Sequence, residues 1–141
     1  MKVFLDTNVV LDTIIPGRPS QMASTELINL GYIPEIRFRI SSLSIATTVY
    51  CCRKYVSKEQ VMARIDFINK EWQILSVGHI DINEALNSEC PDYEDAIQIA
   101  AANAESDVIV TKDKKHFTLY TSLPVYTPAE FLQKLKATQI A

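Results

Sequence analysis

The chain has 141 residues, 48% of them hydrophobic and 22% charged, with a formal net charge of -3. That length gives a single domain over residues 1–141, large enough to bury a core without disulfide or metal staples. The acidic balance argues against a protein that coats DNA through a basic surface, and no apolar run is long enough to span a bilayer, so no membrane partner is expected.

The first stretch, Met1-Lys-Val-Phe-Leu-Asp-Thr-Asn, delivers a short apolar strand into a polar turn. Val3, Phe4 and Leu5 form a continuous apolar run, as in a strand covered on both faces, with Asp6 as its last residue. Two readings of Asp6 stand side by side: a functional carboxylate at the carboxyl end of a strand, where open α/β sheets bind ligands, and a simple helix cap. Because Asp6 interrupts the apolar run at once, nothing here resembles a signal peptide, and a cytoplasmic location is expected. Cys51, Cys52 and Cys90 are odd in number and lack zinc spacing, which fits buried thiols in a reducing compartment.

A short helix is expected over 9–15, stopped by Pro16, and an amphipathic helix over 20–30 with Gly31 as its stop. Residues 36–40 alternate, placing Arg37 and Arg39 on one face and Ile36, Phe38 and Ile40 on the other, a strand with one wet face. A helix follows from Ser41–Ser42 through 56. Ser57-Lys-Glu-Gln60 is a capping box for the next helix, ending near 71. Residues 72–77 read as a strand, Asp81 heads a short helix with Glu84 three positions on, and Pro91 breaks it before a helix over 92–104. The apolar run 108–111 is a strand, 112–115 a polar stretch, and 125–126 a last short strand. Thr127-Pro-Ala-Glu130 places a cap, a proline at the first helical position and an acid at the third, so a terminal helix runs over 128–136. Strands alternating with helices imply right-handed crossovers and a mainly parallel sheet in a three-layer α/β/α sandwich.

On this scaffold Asp6 and Asp113 both lie beyond the carboxyl ends of strands. Asp92 and Asp95 share one face of a helix start by their i,i+3 spacing. Capping accounts for Asp92. Asp95 abuts the apolar run Ala96, Ile97, Ile99 and Ala100, where a carboxylate is costly unless paired or bound to a cation.

The motifs Leu-Asp-Thr-Asn-Val-Val-Leu-Asp at 5–12, Asp-Tyr-Glu-Asp-Ala at 92–96 and Val-Thr-Lys-Asp at 110–113 with Phe117 together resemble the PIN domain, especially its VapC-like toxin branch. The resemblance implies a ribonuclease dependent on Mg²⁺ or Mn²⁺, RNA as substrate, an antitoxin protein as partner, and a homodimer. It places Asp6, Asp95 and Asp113 around the metal as the catalytic acids, with Asn8, Thr111 and Asp92 supporting them. One position departs from the family: after Ser42-Leu-Ser-Ile-Ala46, where a glutamate is usual, stands Thr47, and no acid occurs between Glu35 and Glu59. Thr47 can offer only a hydroxyl, so a PIN-like module that binds RNA or protein without cleaving it is the alternative. A haloacid dehalogenase-type phosphohydrolase is the third reading, but it wants Asp-x-Asp where this chain has Asp6-Thr-Asn8. Lys112, Lys114, Lys115, Arg53 and Lys54 are basic residues able to track an RNA backbone or to serve as solvated charges. His116 reads as a surface histidine, and Tyr50, Tyr55 and Tyr93 as core aromatics or base-stacking groups.

Overall fold

Short apolar strands bury both faces only if helices cover both sides of the sheet they form. The computed structural model describes residues 1–140, leaving residue 141 outside. Along the chain come β1 (Lys2–Leu5), α1 (Thr7–Asp12), α2 (Gln21–Asn29), a 3₁₀ turn (Leu30–Tyr32), β2 (Arg37–Ser41), α3 (Ser42–Cys52) and α4 (Lys58–Glu71). Then follow β3 (Gln73–Leu75), α5 (His79–Asn87), α6 (Tyr93–Glu105), β4 (Val108–Val110), α7 (Lys114–Tyr120), β5 (Val125–Tyr126) and α8 (Pro128–Ile140). The described residues form a five-stranded sheet in the order β3-β2-β1-β4-β5, every neighbouring pair parallel. The chain winds outward from β1 in one direction, then returns past it to β4 and winds outward in the other. The crevice between the carboxyl ends of β1 and β4 is therefore the topological switch point.

Alternation along the pleat assigns the two cores. Val3 and Leu5 join Phe38, Ile40, Val108 and Val110 in packing against Val9, Val10, Leu27, Ile68 and Phe131 of α1, α2, α4 and α8. Phe4 and Ile109, with Leu75 and Val125, pack against Ile99, Ala102 and Phe117 of α6 and α7. The molecule is the expected three-layer α/β/α sandwich. Among the described residues no helix is long and apolar enough to cross a membrane, and all three cysteines are free, Cys52 buried and Cys51 and Cys90 half-buried.

Several local expectations are corrected. Arg39 is not on a wet face: α6 covers that side of β2, and the Arg39 guanidinium bonds the Glu105 carbonyl at the end of α6. Gly31 does not end a helix through a left-handed turn; a Cβ there would lie 2.8 Å from the Phe38 ring, so the glycine permits close packing of the 3₁₀ turn on β2. Asp81 does not head α5 but sits in its first turn, accepting the Gly78 N–H at 2.9 Å. The 112–115 stretch is polar as read, but it is not all loop, because α7 begins at Lys114. Tyr50, Tyr55 and Tyr93 are not core residues, being 64%, 65% and 45% exposed, and Met22 on α2 is likewise exposed.

Candidate metal centre

Asp6 leaves β1 in extended conformation, its N–H still continuing the ladder to the Val110 carbonyl at 3.0 Å, and then caps α1. It is the residue after the strand rather than the strand's last. Its carboxylate is only 5% exposed. One oxygen accepts the Thr7 N–H and the other the Thr111 hydroxyl, each at 2.8 Å. The cap and the site carboxylate are thus the same group. Burial is the dominant effect on it and pushes its pKa up to about 6, against the pull of those two hydrogen bonds and with added repulsion from Glu94 and Asp113.

Thr111 is fully buried just past β4. Its hydroxyl donates to Asp6 and its Oγ1 accepts the Asp113 N–H at 3.0 Å, so one side chain couples the two acids across the switch point. Asp113, with its side chain 40% exposed, turns its carboxylate to His116 Nδ1 at 2.8 Å. That hydrogen bond and the Asp113 charge raise the His116 pKa. From the other side, α6 brings Asp95. Asp92 caps this helix, accepting the Asp95 N–H at 3.0 Å. Burial, followed by repulsion from Asp92, Asp6, Asp113 and Glu94, pushes Asp95 up to about 7. Four carboxylates from three separate segments therefore act on Asp95.

The remaining residues singled out from the sequence divide. Asn8 is exposed and makes no hydrogen bond to an acid among the described residues; its carbonyl oxygen receives a long 3.5 Å contact from Arg18. Thr47 is half-buried on α3, and the adjacent Thr48 is fully buried with its hydroxyl unpartnered among the described residues. Two of the basic residues are already engaged, Lys112 with Asp12 at 2.9 Å and Lys114 with Glu130 at 2.8 Å. Arg53 lies over the Tyr50 ring at 3.7 Å.

Asp12 was part of the first motif but had no role assigned to it. It is fully buried and binds Arg18 at 2.8 Å, Lys112 at 2.9 Å and the Ser24 hydroxyl at 2.8 Å. Burial pushes its carboxyl up, but those three donors outweigh it and hold the group below the usual range. Two cations on one buried carboxylate clamp the segment leading into Asp113 against α1 and α2. Gln98, also unsuspected, is a buried amide inside an otherwise apolar stretch of α6; a glutamine between Ile97 and Ile99 was the available signal.

A model of the PIN domain family matches residues 2–115, most of the chain. The chain belongs to the PIN domain family. The solved structures similar to this PIN domain include VapBC2 from Rickettsia felis bound to a promoter DNA fragment, at 21% identity, covering 89% of this chain and 97% of that one with a TM-score of 0.67. DNA-bound VapBC from Salmonella typhimurium is 18% identical, with 91% and 98% covered and a TM-score of 0.67. VapC20 from Mycobacterium tuberculosis, a toxin that cleaves the sarcin-ricin loop, is 13% identical, with 86% and 98% covered and a TM-score of 0.67. At these identities the likeness is one of fold. No curated protein matches this PIN domain.

Among the described residues no three His, Cys, Asp or Glu side chains converge closely enough to enclose an ion on their own. The donor chemistry nevertheless fits a hard divalent cation: every donor is oxygen, and burial, with repulsion from the neighbouring acids added to it, pushes the Asp95 pKa up to about 7. Such ions keep several waters and need only one or two direct carboxylates together with a substrate phosphate. Asp6 retains free lone pairs beyond the two it commits to Thr7 and Thr111.

Proposed function

We propose that this PIN domain is a ribonuclease dependent on Mg²⁺ or Mn²⁺, with Asp6, Asp95 and Asp113 as the acids around the cation. The observation that carries the reading is the buried Asp6, coupled through Thr111 to Asp113 at the switch point and facing a carboxylate, Asp95, whose pKa is raised to about 7. A divalent ion there would activate a water and offset charge on the transferring phosphate. The chain's own residues do the rest. Thr111 fixes the carboxylate plane of Asp6 by its hydroxyl, Asp92 orients the first turn of α6 that presents Asp95, and His116 holds a proton on Nδ1 against Asp113. Thr47 and Asn8, from α3 and α1, are the further supporting residues in this reading, each able to hold a water beside the cation. The substrate is RNA, single-stranded or structured. Exposed Tyr93, one residue from Asp92, offers a stacking platform for a base.

Several structures of this fold are toxin–antitoxin complexes, which supports an antitoxin as partner of this chain; a homodimer is a further part of this reading. A second reading, a module that binds RNA or protein without cleaving it, is favoured by the absence of an acid at Thr47 and, among the described residues, of three convergent acids.

The test is cleavage of a mixed RNA panel in Mg²⁺ or Mn²⁺, with EDTA and the Asp6→Asn and Asp95→Asn variants beside the wild type. Cleavage lost in EDTA and in both variants is expected. Folded, antitoxin-free wild-type protein that cleaves no more than the variants overturns the nuclease reading and leaves the binding module.

A further inference from the structure

We propose that Gln98 is a positioning residue that sets Asp95 against Asp6, an inference that rests on the nuclease reading above. Gln98 follows Asp95 by three positions, on the same side of α6, and its side chain is 1% exposed. Its carbonyl oxygen accepts the Ser41 hydroxyl at 2.6 Å, and its amide nitrogen donates to Ser44 Oγ at 2.6 Å and to Thr7 Oγ1 at 3.0 Å. Thr7 is the residue whose N–H holds Asp6, and its hydroxyl is also bonded to that of Ser44 at 2.7 Å. Ser41 caps α3 and accepts the Ser44 N–H at 3.1 Å. One amide, with both N–H groups and its oxygen used, therefore joins the turn carrying Asp6, the start of α3 and the helix carrying Asp95.

Among the described residues, no other side chain of α6 hydrogen-bonds α1 or α3. Because α3 brings Thr47 in place of an acid, its polar contribution to the centre runs through Ser41 and Ser44 to this amide. A buried network satisfied at every member rigidifies the elements it joins. A cation held by Asp6 and Asp95 would require such rigidity, since a displacement of about 1 Å in a reacting group costs about a hundredfold in rate.

The experiment compares wild type, Gln98→Leu, Gln98→Glu and Val61→Ala. Val61→Ala is a cavity control in the separate α3–α4 cluster. The readouts are kcat and KM on one RNA, Mn²⁺ affinity by calorimetry, and Tm. Gln98→Leu is expected to lower kcat by about a hundredfold and to weaken Mn²⁺ binding with KM unchanged, while Val61→Ala loses Tm but keeps its kcat. Gln98→Glu accepts from the same three hydroxyls and restores most of the Mn²⁺ affinity. Ser44→Ala, which removes one partner and leaves the amide, is the milder variant should Gln98→Leu not fold, and it too lowers kcat at constant KM. Wild-type kcat and Mn²⁺ affinity in Gln98→Leu, or in Ser44→Ala where only that variant folds, overturn the positioning role and leave the nuclease reading intact. Wild-type protein that neither binds Mn²⁺ nor cleaves RNA overturns both.

Discussion

Replacing Asp6 by Asn should make the metal-free protein more stable while removing the proposed nuclease activity. In the folded chain the Asp6 carboxyl holds its proton up to about pH 6, against 3.8 as the ordinary value, because burial penalises its charge. The folded state therefore binds the proton more tightly than the unfolded one. Stability is full below pH 4 and declines as pH rises through about 6. A shift of about two pH units corresponds to about 3 kcal/mol at pH 8, since each unit is about 1.4 kcal/mol. Asn keeps the capping geometry and the contact with Thr111, and loses part of the gain by hydrogen bonds weaker than those of a carboxylate, leaving about 2–3 kcal/mol. At an unfolding entropy of about 2.1 cal/mol/K per residue, this raises Tm by about 7–10 °C for a chain of 141 residues. Thermal denaturation of both proteins in EDTA from pH 4 to 8 is the assay. The difference should be near zero at pH 4, grow between pH 4 and 6, and level off above 7. Saturating Mn²⁺ should then close it by stabilising the wild type alone. An Asp6→Asn protein less stable than wild type at pH 8, or a difference that does not change with pH, would refute the reasoning.

Other outcomes follow from the same structure. Asp12→Ala leaves Arg18 and Lys112 without their shared buried partner and should destabilise the protein by about 3–5 kcal/mol, read as a lower urea midpoint. The His116 ring should titrate above 6.5 by NMR and return towards 6.5 in Asp113→Asn; its contribution to stability is present below pH 6.5 and lost as pH rises through the folded value. Gly31→Ala pushes a methyl group to 2.8 Å from the Phe38 ring and should cost about 1–3 kcal/mol in chemical denaturation.

What the sequence reveals depends on how local the cause is. The capping box at Ser57 and Gln60 is written within four residues and is found as expected, as is the reciprocal pair of Thr127 and Glu130 at the start of α8. Strands β1 and β4 announce themselves because burial on both faces demands unbroken apolar runs, and β2 does so by its alternation. Helix α7 does not, since Phe117 is its one fully buried side chain and no periodic stripe marks it. Arg39 looked solvated because alternation cannot show that α6 returns to cover the strand. Asp6, Thr111 and Asp113 each follow a strand in the sequence, and the pairing of β1 with β4 sets them together. A polar residue between Ile97 and Ile99 marks Gln98 as an anomaly but not its role, because its partners lie 54, 57 and 91 positions away and no spacing rule links an amide on one helix to hydroxyls on two others.

The bond from Thr111 to Asp6 spans 105 residues, and β1 gains its second neighbour only when β4 arrives. A chain emerging from the ribosome at 5–20 residues per second thus carries Asp6 for about 5–20 s before its partner exists. The strand order makes the centre a late product of synthesis: a nascent or prematurely ended chain carries the first acid without the threonine that holds it.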